Sequence, residues 1–178
     1  MSEERRPAPE RLEMPDGTVF ALTRPAEETG GELIEMEITL PPGAPSPPRH
    51  FHPRQEERWE ALEGTISVYV KDGWRDLREG DSVTIPAGQA HTIKNRSDRT
   101  VRVRDSHSPA LDFEDYIRTL HRLARAGKLS NPRRPSTLIY FALAWREQHT
   151  QTAAQLPLRV ALPLLAGLGK LLRYRTTG

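Results

Sequence analysis

The chain has 178 residues, a formal net charge of +2 and no cysteine. A chain of this length can bury one hydrophobic core with an appended segment, and the absence of cysteine excludes disulfides and thiolate metal ligands. A net charge so close to zero gives no sign of a nucleic-acid partner. We therefore expect a cytoplasmic protein that does not bind nucleic acid.

The first half of the chain predicts a short arm followed by many strands. Residues 1–17 are charged and contain several prolines but no apolar run, so we expect a flexible arm rather than a signal peptide. Residues 18–107 contain short runs in which apolar and polar side chains alternate, which predicts antiparallel strands. The clearest run, at residues 32–40, places four apolar side chains on one face: Ile34, Met36, Ile38 and Leu40. Many short strands at this spacing predict a β-barrel or a double-sheet jelly roll.

The period changes after residue 107, and residues 108–178 predict a helical extension. Ser108-Pro109 has the residue types of a helix start, and apolar side chains then recur at helical spacing. A second helix is predicted over residues 136–149 and a third over residues 156–173.

The third predicted helix has two interpretations. Residues 156–173 are apolar around most of the helix, with Arg159, Lys170 and Arg173 on one stripe. The helix could bury its apolar face against the barrel, the other helices or a second subunit. Alternatively, it could make a peripheral membrane contact with the basic stripe at the headgroups. Pro163 and the internal charges argue against a membrane span.

Four side chains between residues 50 and 91 are candidate metal ligands. His50 and His52 project from the same face of a strand, because side chains alternate with a period of two. Glu57 follows shortly after, with Glu56 as the competing carboxylate, and His91 comes from a later strand that only a closed or curled sheet would bring to the same point. Three imidazoles and one carboxylate suit Fe, Mn, Ni, Co, Cu or Zn.

The same segment carries two motifs that resemble those of the cupin family, G-x5-H-x-H-x3-4-E-x6-G and G-x5-P-x-G-x2-H-x3-N. The second is matched at every fixed position, by Gly80, Pro86, Gly88, His91 and Asn95. The first is matched by His50, His52, Glu57 and Gly64, with one extra residue in the turn after Gly43. The spacing to Gly64 favours Glu57 over Glu56.

The resemblance covers about residues 18–107 and has consequences for fold and site. It implies a mainly β protein, a cupin double-stranded β-helix or jelly-roll barrel, followed here by a C-terminal α-helical segment. It also implies a metal inside the barrel, ligated by His50, His52, Glu57 and His91. Four protein ligands leave two adjacent positions open on an octahedral ion but none on a tetrahedral one. We therefore expect a divalent transition metal, with Fe, Mn or Ni favoured over Zn.

Strand parity suggests further residues around this site. Trp59 shares the face of Glu57, while Asp105 and His107 continue the inward face of the last strand, so all three are candidate pocket residues. Asn95 is expected to fix a turn rather than to touch substrate. No catalytic residue is assigned.

Three functional hypotheses remain open at this stage. The first is a mononuclear, dioxygenase-like metal oxidoreductase acting on a small organic molecule, since the predicted metal has open positions and cupins include many dioxygenases. The second is an isomerase or lyase in which the metal acts only as a Lewis acid. The third is a non-catalytic cupin that binds or senses a small ligand. We also expect a homodimer, because cupins commonly pair through their sheets and the C-terminal leucines need cover.

Overall fold

The computed structural model describes residues 8–71, 73–131, 133–147 and 151–177. The strands are β1 (Glu10–Glu13), β2 (Val19–Arg24), β3 (Ile34–Leu40), β4 (His50–Phe51), β5 (Glu56–Glu63), β6 (Thr65–Val70), β7 (Gly73–Arg78), β8 (Ser82–Ile85), β9 (Thr92–Lys94), β10 (Val101–Ser108) and β11 (Thr152–Ala153). The α-helices are α1 (Phe113–Arg125), α2 (Pro135–Glu147) and α3 (Leu156–Leu171), and a short 3-10 helix spans Ala26–Thr29.

The strands form two main sheets and a small two-stranded pair. The larger sheet has the order β1-β2-β3-β10-β5-β8, the smaller has the order β7-β6-β9, and β11 pairs with β4. The alternation predicted for residues 32–40 is present in β3, whose apolar side chains are buried while the intervening ones are half-buried. Buried apolar side chains from both main sheets join one core. The predicted mainly β jelly roll with C-terminal helices is confirmed.

A glycine allows the close turn between β5 and β6. Gly64 has a φ of +81°, which L side chains rarely adopt, and a Cβ at this position would lie 3.3 Å from Val101 Cγ2. This turn therefore depends on the absence of a side chain, which gives a physical reason for the glycine that closes the first motif.

Two boundaries differ from the sequence-based expectations. Part of the expected N-terminal arm is a strand, because Glu10–Glu13 pairs antiparallel with Val19–Arg24; residues 1–7 of that arm lie outside the described residues. The predicted helix start at Ser108-Pro109 is wrong, because β10 continues through Ser108 and α1 begins at Phe113. β10 extends further than predicted because its last residues still pair with β5.

The helices pack on one another and on the barrel. The buried residues of α3 are Leu162, Ala166 and Gly169, and the position of Gly169 lies against Ile139 and Leu143 of α2. Most of the leucines of α3 remain exposed, so the interpretation that its broad apolar face is buried within the chain is wrong. On α1, Arg118 forms ion pairs with Glu10 of β1 and with Glu114. Among the described residues, no helix is long and apolar enough to cross a membrane.

Candidate metal centre

The fold brings the four predicted ligands to one point inside the barrel. His50 lies on β4 and Glu57 on β5, while His52 and His91 lie in the connections just after β4 and just before β9. The backbones of His50 and His91 exchange two hydrogen bonds, of 3.0 and 2.8 Å, which hold the two histidine segments side by side. All four side chains are buried, and their ligand atoms lie within 4.8 Å of one another. Glu56 is exposed, as its position before Glu57 requires.

The ring orientation of two histidines is fixed by backbone carbonyls. His50 Nδ1 lies 2.8 Å from the Pro48 carbonyl oxygen, and His91 Nδ1 lies 2.9 Å from that of Gln89. A carbonyl oxygen can only accept a hydrogen bond, so each Nδ1 carries a proton and donates it. In the neutral rings, the lone pair is therefore on Nε2. Metal-binding histidines commonly have this arrangement, in which one ring nitrogen donates a hydrogen bond and the other faces the metal.

The electrostatics of the cluster call for a cation. His91 Nε2 is in direct contact with Glu57 Oε2, and His52 Nε2 lies 3.7 Å from the same oxygen. A neutral His91 in this tautomer would place two acceptors against each other in a buried site, which is unfavourable unless a proton or metal ion lies between them. Buried, convergent nitrogen and carboxylate donors are the groups that a divalent transition metal binds. The residues present therefore fit such an ion.

The pKa values in the cluster follow from burial and mutual charge. Burial, helped by the nearby His91, lowers the pKa of His50 to about 3. Burial also lowers the pKa of His91, but the Glu57 carboxylate outweighs it, and the net pKa of His91 is raised. Burial raises the pKa of Glu57, and the surrounding histidines, His91 first, bring it well below its usual range. Glu57 is thus a carboxylate throughout the physiological pH range.

Trp59 supports the carboxylate ligand directly. Its indole Nε1 donates a 2.8 Å hydrogen bond to Glu57 Oε1, leaving Oε2 for the histidines. The side chain is 5% exposed and also lines the cavity described below. Sequence parity placed Trp59 on the correct face, but the hydrogen bond to Glu57 was not foreseen.

Asp105 and His107 form a second buried group beside the first. His107 Nε2 lies 3.2 Å from Asp105 Oδ2 and 3.7 Å from Glu57 Oε1, and the imidazole stacks on Phe113 with ring centroids 3.6 Å apart. Burial raises the pKa of Asp105 to about 6, although His107 opposes the shift. Burial lowers the pKa of His107, but Asp105 and Glu57 give a net increase. Asp105 lines the cavity, as predicted, but His107 is not among the lining residues, because its ring lies behind Asp105 and stacks on Phe113.

A cavity of about 250 Å³ adjoins the cluster of His50, Glu57 and their neighbours. Its lining combines barrel residues, including His50, Glu57, Trp59 and Asp105, with residues of the C-terminal segment: Phe113, Tyr116, Ile117, Leu120, Phe141 and Gln151. The sequence analysis missed the role of these C-terminal residues. The helical spacing of the four on α1 shows that they share a face, but nothing in that spacing shows that the face closes a barrel.

Asn95 has the structural role that was predicted for it. Its side-chain amide donates hydrogen bonds to the carbonyls of Leu40 and Arg99, and its Oδ1 accepts one from the Ser97 backbone. These bonds join the β9–β10 turn to the end of β3.

Comparison with known proteins places the barrel in a described family. The Cupin domain family matches residues 36–107. Oxidoreductase OpS7 from Beauveria bassiana is 35% identical over 86 residues, which are 45% of this chain and 25% of that protein. An uncharacterized protein from Aquifex aeolicus is 30% identical over 69 residues, 39% of this chain and 56% of that one. The chain thus spans a quarter and rather more than half of the two relatives.

Solved structures agree on the fold. KdgF from Halomonas sp. superposes with a TM-score of 0.51 at 18% identity, covering 59% of this chain and 92% of that one. A predicted oxalate decarboxylase from Thermotoga maritima superposes with a TM-score of 0.50 at 19% identity, covering 61% and 98%. At these identities the likeness concerns the fold alone.

Proposed function

This chain belongs to the cupin family through residues 36–107, and from that premise we propose that it is a metal-dependent oxidoreductase, dioxygenase-like, acting on a small organic molecule. The observation that carries the proposal is the convergence of His50, His52, Glu57 and His91 beside a cavity open to a small ligand. The relative named as an oxidoreductase, OpS7, adds support that is limited to the matched quarter of its length.

The chain's own residues would have distinct tasks in such a reaction. A redox-active divalent metal bound here would supply Lewis acidity and electron transfer. The carbonyls of Pro48 and Gln89 hold two ligand imidazoles in the binding tautomer, and Trp59 holds the Glu57 carboxylate. The apolar side chains around the cavity exclude water from the side on which a substrate would lie.

Metal content and oxygen uptake test this proposal. Protein purified without chelator should contain close to one equivalent of a transition metal, and Fe(II)-loaded protein should consume oxygen only when its substrate is present. Screening small oxygen-donor compounds for substrate-dependent oxygen uptake, with Zn(II)-loaded protein as the control, measures this directly. Turnover that is equally fast with Zn(II) and without oxygen would reject the oxidoreductase.

A second candidate is an isomerase or lyase, and the position of Asp105 favours it. Asp105 Oδ1 is buried with no hydrogen-bond partner among the described residues, and the side chain lines the cavity. With a pKa of about 6, a carboxyl group in this position is suited to proton transfer near neutral pH. Substrate-dependent exchange of a carbon-bound hydrogen with solvent deuterium, lost in Asp105→Asn, would identify this chemistry.

A further inference from the structure

The lining of the cavity combines polar and apolar groups. Its polar groups include the carboxylates of Glu57 and Asp105 and the His50 ring. Its apolar and aromatic side chains include those of Phe113, Ile117 and Phe141, which come from the C-terminal helices. A molecule in this space would therefore contact both polar groups and carbon surface.

In the metal-free protein, the side chains around the cavity offer little to an anionic ligand. Among the described lining residues, Lys94 is the only lysine or arginine, and it is an exposed residue. A phosphate or carboxylate group usually needs arginine, several lysines or backbone N–H groups aimed at it. Away from the ligand cluster, the lining described here offers one lysine side chain at most.

Gln151 is a polar lining residue contributed by the C-terminal segment. Its side chain is 7% exposed. Its Nε2 is buried without a hydrogen-bond partner among the described residues. A buried donor without a partner is costly, so such groups are commonly satisfied by a ligand or by water. An acceptor oxygen on a bound molecule would satisfy Gln151 Nε2.

We propose that the cavity binds a small, uncharged, ring-bearing molecule that accepts a hydrogen bond from Gln151. Its volume of about 250 Å³ suits this size, because an apolar cavity of roughly 150 Å³ already holds benzene. The proposal goes beyond the proposed function, because it assigns a ligand class to the cavity of the metal-free protein. Its test can therefore fail or succeed independently of metal loading.

Three probes of similar size separate the features of the proposed ligand. Acetophenone has a ring and a neutral acceptor, ethylbenzene has the ring without the acceptor, and benzoate has the ring with a negative charge. Binding to the full-length metal-free protein is followed by the indole N–H NMR signal of Trp59, which lines the cavity and is assigned through Trp59→Phe. We expect acetophenone to bind about three- to tenfold more tightly than ethylbenzene, the effect of one neutral hydrogen bond. We expect benzoate to bind more weakly than acetophenone.

Three single-residue variants test which side chains cause the preference for acetophenone. Gln151→Leu should abolish the difference between acetophenone and ethylbenzene while ethylbenzene still binds. Gln155→Leu, a change of the same residue type outside the cavity lining, should leave the difference intact. Lys94→Met should leave acetophenone binding unchanged.

Three outcomes would overturn the proposal. Benzoate could bind most tightly and lose that affinity in Lys94→Met, which would indicate an anionic ligand. Gln151→Leu could leave the acetophenone preference unchanged, which would remove Gln151 from recognition. Finally, if no probe shifts the Trp59 signal, the cavity is not a site for ring compounds. Metal analysis of the same protein decides the proposed metal-dependent function separately.

Discussion

At the scale of single residues, the contact between His91 Nε2 and Glu57 Oε2 determines the chemistry of the site. With its Nδ1 proton donated to the Gln89 carbonyl, neutral His91 has a lone pair directed at a carboxylate. A proton or a metal ion resolves this arrangement, and the two compete for the same nitrogen. Metal binding at this cluster would therefore be coupled to proton release.

The ligand assignment predicts which substitutions remove metal. Glu57→Gln and His91→Ala should each lower metal content to a small fraction of the wild-type value, because each removes a ligand atom from the cluster. Inductively coupled plasma mass spectrometry measures the content, and far-UV circular dichroism checks that the barrel remains folded. Glu56→Gln, next in sequence but exposed, and His121→Gln, outside the cluster, are the controls. Full metal content in either ligand variant would contradict the assignment.

Metal affinity should fall as the pH is lowered. The pKa of His91 is raised above its ordinary 6.5, so at pH values below 6.5 the metal-free site holds a proton that the ion must displace. For one displaced proton, the dissociation constant should rise by up to about tenfold per pH unit below that pKa, and it should level off above it. Calorimetric titration with Co(II) in buffers of different ionisation enthalpy counts the released protons. A dissociation constant independent of pH between 6 and 8 would show that His91 carries no competing proton.

The hydrogen bond from Trp59 to Glu57 should contribute to metal affinity. Trp59→Phe keeps an aromatic ring in the wall of the cavity but removes the 2.8 Å bond to Glu57 Oε1. Loss of a partner that orients a ligand typically weakens metal binding by about 10- to 100-fold. Competition with a chromophoric chelator measures the change, and Trp74→Phe, at an exposed tryptophan, is the control. An unchanged affinity would limit Trp59 to packing.

Some residues of the site could be predicted from the sequence, and others could not. The convergence of His50, His52, Glu57 and His91 could be predicted because strand parity places the first two on one face and the resemblance to the cupin motifs adds the other two. The alternation of Asp105 and His107 also predicted that both side chains point inward, and both are buried. Gln151 could not be predicted, because its place in the cavity depends on how the C-terminal segment packs, about a hundred residues after His50.

At the scale of elements, the end of β10 shows how tertiary pairing decides a boundary. Ser108-Pro109 has the residue types of a helix start, yet Ser108 pairs with Glu56 on the neighbouring strand. The helix begins only at Phe113, after Asp112 at the N-cap position. Helix preferences of single residues are weak compared with the backbone hydrogen bonds that a neighbouring strand offers. The sheet therefore extends past the residues that are typical of a helix start.

The contact between α2 and α3 depends on the absence of a side chain at Gly169. A Cβ there would lie 2.5 Å from Ile139 Cγ2 and 3.0 Å from Leu143 Cδ1, so Gly169→Val should force the helices apart. Overpacking of this kind costs about 1–3 kcal/mol, which corresponds to a decrease in Tm of about 2–12 °C for a protein of this size. Gly167→Val on the same helix meets nothing within 4 Å and is the matched control. Thermal denaturation followed by circular dichroism measures both, and equal Tm values would contradict the packing.

At the scale of the whole molecule, the C-terminal segment is part of the barrel site rather than an appendage to it. β11 pairs with β4, the strand that carries His50, and Trp145 of α2 makes an edge contact with the His50 ring at 5.7 Å. The residues of α1 and α2 also close the cavity. The helical character of this segment could be predicted from its period, but not its return to the histidine strand, because a two-residue strand gives no periodic signal.

The outward face of α3 predicts self-association. Its exposed apolar side chains follow one another at helical spacing, with exposed fractions of 44 to 79%: Leu156, Val160, Leu164, Leu168 and Leu171. A continuous apolar stripe of this kind marks an interaction surface in most water-soluble proteins. We expect a homodimer through this face, with a mass about twice 20.2 kDa in light scattering after size exclusion. Leu164→Gln combined with Leu171→Gln should yield a monomer with unchanged circular dichroism.

A control substitution on another helix tests whether dimerisation depends on the α3 face specifically or on exposed leucines in general. Leu138→Gln alters an exposed leucine of α2 and should leave the dimer intact. The competing occupant is an anionic membrane, since Arg159 and Lys170 flank the same helix and could meet lipid headgroups. The dimer prediction would be wrong if the wild-type protein is a monomer that co-sediments with vesicles containing phosphatidylserine and the double variant does not. That result would indicate a membrane contact instead. Since burial between two copies removes the leucines from water without lipid, a dimer should instead show no vesicle binding.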